Sequence, residues 1–213
     1  MATIGSTERS ALTGLLVTGQ TLLMVSFTLV ETLALGLWLT LVDGTTVISA
    51  ASATGFAVLL VGFVTEHVLT DGVVNGLSLD FPLGQIVGIS VSEALLWVLW
   101  LGIAEELGGV RGVLIAGGAL AVLLVPQHTV EDNVVRGDDP FERVVDLGTV
   151  GFSLVEAVGA TTWLLLVFEG AQFRGVLTAV GLGGVAPSAV GLGLLAVFLF
   201  IEHDIGVALA RRD

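Results

Sequence analysis

His67, His128 and His203 are the only imidazoles in the chain, and each follows a glutamate or its amide, as Glu66-His67, Gln127-His128 and Glu202-His203. Three further glutamates, Glu31, Glu93 and Glu156, each stand three residues after a hydroxyl (Thr28, Ser90, Ser153) and seven before a tryptophan (Trp38, Trp100, Trp163). Neutral imidazole and carboxylate oxygen together suit a divalent first-row metal such as zinc, iron or manganese, which makes Glu31, Glu93, Glu156, His67, His128 and His203 the candidate metal ligands. In a membrane the same groups stacked along an axis suit a proton or cation path. A plainer reading has protonated glutamates bonded to the three hydroxyls or to indole N–H groups, holding a bundle together.

Offsets of minus three and plus seven fall on one face of a helix, so each copy presents a hydroxyl, a carboxylate and an indole in one stripe. The Glu-to-Glu intervals are 62 and 63 residues and the His-to-His intervals 61 and 75. These are three diverged copies of a two-helix hairpin, near 18–76, 82–137 and 140–210, set around a pseudo-threefold axis within a single domain, 1–213.

The flanks dictate where such hairpins reside. Mean hydropathy is +1.01, with 54% apolar and 13% charged residues, and several apolar runs exceed the length needed to cross a bilayer. The expected fold is therefore an all-α integral membrane protein with six transmembrane helices, near 18–42, 47–70, 84–104, 111–134, 144–168 and 187–209. The first stretch reads as retained rather than cleaved, because Glu8 and Arg9 precede it, the apolar run reaches Val42 and it carries the first copy. The interval from Arg174 to His203 is 29 residues against 17 from Arg111 to His128, so the third copy carries an insertion at 175–187 that predicts a short helical or re-entrant segment.

Composition removes several function classes. No lysine is present, which excludes a retinal Schiff base and a Walker-type phosphate loop. The absence of cysteine excludes disulfides, thiolate metal sites and a cysteine nucleophile. With a net charge of −13 and no basic patch, nucleic acid is not a partner. Acidic loops without lysine resemble proteins of salt-loving archaea. Arg9, Arg136, Arg143, Arg211 and Arg212 fall on one side against Arg111 and Arg174 on the other, which predicts a plasma-membrane protein with both termini cytoplasmic.

Local signals place the turns. Val42–Thr45 makes the first reversal, with its threonines as caps for the returning helix, and Pro82 stands near the start of the third span. Glu105–Gly109 makes the second reversal, Pro126 predicts a kink beside Gln127-His128, and Asp139-Pro140 reads as an N-cap followed by the first helical residue. The charged stretch Glu131–Asp146 is read as solvated, with no chemistry assigned. Glycines such as Gly183, Gly184, Gly191 and Gly193 predict close helix contact.

Counting residues in from the arginine-rich side puts Glu93 and His128 about 12–14 Å deep, so the histidines lie level with the glutamates or somewhat nearer the cytoplasm. Glu66 and Glu202 adjoin their histidines but point about 100° away, which makes them supporting or interfacial groups. Asp71 and Asp132, four residues after a histidine, could orient an imidazole, but Val207 at the third such position favours reading them as solvated helix ends. The three tryptophans are read as an interfacial belt, with a lid above a cavity as the alternative.

The leading expectation is a transporter or channel for a proton or divalent cation. One alternative is a membrane-embedded metalloenzyme acting on a lipid or isoprenoid, which needs an open coordination position and a lipid-accessible pocket. The other is a non-catalytic membrane subunit or sensor with a structural polar core.

Overall fold

The structure is a computed structural model and describes residues 6–45, 49–76 and 82–210. The described residues form seven helices and no strand: α1 (Ser6–Val42), α2 (Ala50–Asn75), α3 (Leu83–Leu107), α4 (Gly109–Arg136), α5 (Val150–Phe168), α6 (Gly170–Ala179) and α7 (Pro187–Ala210). All but α6 are long and apolar enough to cross a membrane. The chain is thus a multi-pass helical membrane protein, in which helices satisfy every backbone group that lipid cannot.

The six spans form a closed ring of contacts: α1 on α2, α2 on α3, α3 on α4, α4 on α5, α5 on α7, and α7 back on α1. The backbones of α2, α4 and α7 also approach one another in all three pairings, whereas among the described residues α1, α3 and α5 meet one another only through side chains. The histidine-bearing helices therefore share the middle of the ring.

Small residues set these distances. A Cβ on Gly62 would collide with Ala34 of α1, one on Gly117 with Thr161 of α5, and one on Gly159 with Phe198 of α7. Gly191 is likewise pressed on Trp163. Three other glycines depart from expectation: Gly183 and Gly184 lie in the turn after α6, and Gly193 faces open space.

The α3–α4 reversal needs only Gly108 and Gly109, whose φ values of 65° and 59° are costly for any side chain. At the first reversal the cap of α2 is Ser49, which accepts from the Ser52 amide at 3.0 Å, whereas Thr45 is spent on the Val42 carbonyl. Thr46, Asp80, Phe81, Arg211, Arg212 and the Arg9 side chain lie outside the described residues.

Three expectations are corrected. Asp139-Pro140 does not start the fifth span: Asn133 at the end of α4 donates to the carbonyls of Pro140 and Arg143, which folds this segment back as turns, and α5 begins at Val150. The inserted helix is α6, Gly170–Ala179, which lies earlier than 175–187 because the glycine-rich remainder forms turns. The tryptophans do not form an interfacial belt. Trp38, Trp97, Trp100 and Trp163 are all at most 2% exposed, with Trp97 edge-on to Trp100 (5.1 Å between centroids) and Trp100 stacked on Trp163 (6.3 Å). The seven-residue offset of Trp38, Trp100 and Trp163 from the glutamates puts these three on the inward face, roughly 10 Å further along each helix.

Candidate functional site

Each histidine reaches across to the neighbouring hairpin and meets both halves of a hydroxyl–glutamate pair. His67 on α2 lies against Ser90 (Nδ1 to Oγ, 3.2 Å) and Glu93 (Nε2 to Oε2, 3.6 Å) on α3. His128 on α4 meets Ser153 at 2.7 Å and Glu156 at 3.0 Å on α5. His203 on α7 meets Thr28 at 2.9 Å and Glu31 at 3.2 Å on α1. The three-residue step from hydroxyl to glutamate is a rise of about 4.5 Å, short enough for the two nitrogens of one ring to contact both groups. Histidines and glutamates are thus level.

The hydrogen bonds fix which nitrogen carries the proton. His67 Nδ1 lies 2.7 Å from the Phe63 carbonyl, which can only accept, so Nδ1 is the donor. Ser153 gives its own hydroxyl proton to the Thr149 carbonyl (2.8 Å) and so can only accept from His128 Nδ1. Ser90 does the same toward Ile86 (2.9 Å). In a neutral imidazole held this way, Nε2 presents a lone pair, and for His67 and His128 that lone pair faces a carboxylate.

Glu31, Glu93 and Glu156 converge. One oxygen from each lies within 4.8 Å of the others, and all three residues are buried. Points so spaced lie no more than about 2.8 Å from a common centre, close to the 2.0–2.6 Å at which carboxylates hold divalent cations. Glu31 Oε2, Glu156 Oε1 and His67 Nε2 are buried with no hydrogen-bond partner. Orphaned buried acceptors of this kind call for a proton, a water or an ion.

Three more carboxylates adjoin this set. Glu66 accepts from Thr70 at 2.6 Å and lies 3.7 Å from His203 Nε2, and Glu202 lies 3.2 Å from the same nitrogen. Glu131 lies 3.6 Å from His67 Nε2. Six carboxylates thus face three imidazoles. Were all six ionised, neutral rings would leave six formal negative charges, and even three imidazolium ions would leave three. Among the described residues no arginine pairs with these six: Arg136 is bridged to Asp132, and Arg143 to Asp132 and Asp146.

Comparison with protein-family models, with curated proteins and with solved structures returns no match. The geometry alone therefore carries the functional reading.

All six sequence-derived candidates come together, but three supporting roles differ from expectation. Asp71 bonds to Asn75 and Asp132 to Arg136 and Arg143, so neither aspartate orients an imidazole. The hydroxyls three residues before each glutamate do so instead. Gln127 turns away, donating to the Ile89 carbonyl at 3.0 Å and accepting from Ser92, and so ties α4 to α3. Glu131, inside the expected span 111–134 but read with the charged stretch that follows it and given no chemistry, belongs to the cluster from the last turns of α4. Its place three residues after His128, on one helical face, was the available signal.

A cavity of about 40 Å³ touches the cluster from the side of the C-terminal ends of α2, α4 and α7, lined by Thr70, His128, Glu131, Glu202 and His203. It has room for one or two waters. Toward the opposite face the tryptophan layer closes the centre of the ring.

Proposed function

We propose that this protein is a transporter or channel for a divalent transition-metal cation, with Glu31, Glu93, Glu156, His67, His128 and His203 as its ligands. The carrying observation is the excess of buried carboxylate over imidazole, with no arginine paired to it among the described residues, at a depth where an uncompensated charge costs several kcal/mol. Bound cations supply the missing positive charge, and the orphaned oxygens and Nε2 are the atoms that would receive them.

The cyclic pattern supports a chain built from three hairpin repeats around a pseudo-threefold axis, acting as one unit. Hairpin one reaches to two, two to three, and three back to one, each time through the same hydroxyl and glutamate positions. An axial site with a water-sized opening on one side and packed indoles on the other suits gated passage. The arginine distribution supports plasma-membrane insertion with both termini cytoplasmic, an orientation in which the opening would face the cytoplasm.

A lipid- or isoprenoid-directed enzyme fits less well. The cavity at the cluster is far smaller than the roughly 300–1,000 Å³ of organic-ligand sites. The roomy groove of about 880 Å³ lies at the other end, against Trp38, Phe56 and Ile103, and no candidate ligand lines it.

The test is flux into proteoliposomes, with an internal zinc-sensitive dye and a separate internal pH dye. Zinc-dependent signal that vanishes when Glu31, Glu93 and Glu156 are all changed to glutamine supports the reading. Equal flux in that variant refutes it, and proton flux without metal flux moves the assignment to protons.

A further inference from the structure

We infer that the axis holds a second cation site beside the three-glutamate site, formed by Glu66, His67 and Glu131 and placed to take a cation from the small cavity and pass it inward. The inference rests on the cation reading above and extends it to a residue, Glu131, that stands outside the threefold pattern.

Four observations carry it. Ligand atoms of Glu66, His67 and Glu131 lie within 4.8 Å of one another. His67 is 1% exposed, its Nδ1 lies 2.7 Å from the Phe63 carbonyl and 3.1 Å from Glu66 Oε2, and its Nε2 has no hydrogen-bond partner. That free nitrogen stands 3.6 Å from Glu131 Oε2 and 3.6 Å from Glu93 Oε2, so it is equally placed for either carboxylate. Glu131 also lines the cavity, whereas Glu31, Glu93 and Glu156 do not.

Nitrogen and carboxylate oxygen form a borderline donor set suited to zinc, manganese or iron in the divalent state. His67 would be the shared ligand, exchanging one carboxylate for the other as the ion moves. The charge count agrees: one divalent cation leaves the six carboxylates with four uncompensated charges, and a second halves that. Glu131 has Thr70 and Gly206 at the matching positions of the other hairpins, so the fold provides this outer site once.

The test uses manganese with the full-length protein in detergent. Equilibrium dialysis should give two equivalents for the unaltered protein, and its electron paramagnetic resonance spectrum should be that of a coupled ion pair. Glu131→Gln, a nearly isosteric change at a partly exposed residue, should reduce this to one equivalent with an isolated-ion spectrum, while melting temperature is retained. One uncoupled equivalent in the unaltered protein, or two in Glu131→Gln, overturns the second site and leaves the transport reading standing. No bound manganese in the unaltered protein removes both.

Discussion

Replacing Ser153 by alanine tests whether the hydroxyls set the histidines for metal binding. Ser153 is fully buried and accepts the Nδ1 proton of His128 at 2.7 Å, while Nε2 of the same ring stands 3.0 Å from Glu156. The alanine is smaller by one oxygen and leaves Nδ1–H without an acceptor, a buried loss of about 1–3 kcal/mol. The ring can relieve that loss only by moving its proton to Nε2, which withdraws the lone pair from the metal side. Either route weakens metal binding by the ten- to hundredfold typical of lost ligand-orienting groups, about 1.4–2.7 kcal/mol. The assay is competition between the purified protein and a chromophoric zinc chelator. Ser92→Ala is the control, because that hydroxyl bonds the Ile89 carbonyl and Gln127 but no histidine, and it should leave zinc affinity unchanged. Unaltered affinity in Ser153→Ala, or an equal loss in Ser92→Ala, would refute the positioning argument.

Gly62→Ala should destabilise the protein by about 1–3 kcal/mol, read as a lower melting temperature in detergent, because the new methyl meets Ala34 across α1–α2. Gly193→Ala, which meets nothing within 4 Å, should show no such drop. Trp100→Ala removes the indole that contacts both Trp97 and Trp163 and should cost about 3–5 kcal/mol; if the layer is the barrier, liposomes bearing it should also leak metal without a gradient-dependent lag. Zinc at a hundred times its dissociation constant should stabilise the unaltered protein by about 2.7 kcal/mol, reversed by chelator. Chelator-insensitive melting would count against a bound cation.

The site was legible in the sequence to the extent that it obeys helical periodicity. Offsets of three and seven residues assign Thr28, Glu31 and Trp38 to one face without any tertiary information, and the same holds for the other two copies. The indoles were nonetheless assigned to the membrane interface, although a residue sharing a face with a buried carboxylate must point inward with it. Glu131 is hidden by its neighbours, since the first charge of the run Glu131–Asp146 reads with the solvated residues that follow although it still lies within the fourth span. The turns at 137–149 depend on Asn133 capturing two distant carbonyls, a tertiary effect that outweighs the Asp-Pro start signal. Least legible was the pairing itself. Periodicity within one hairpin places a histidine at the right depth, but which neighbouring glutamate it meets is set by the order of helices around the ring.

Elemental analysis of the detergent-purified protein beside a variant with His67, His128 and His203 all changed to alanine addresses the cation claim most directly. The account predicts at least one equivalent of a transition metal in the unaltered protein and its loss from the variant. No metal in the unaltered protein, even after incubation with zinc, iron and manganese salts, would contradict it and leave the carboxylates to be balanced by protons.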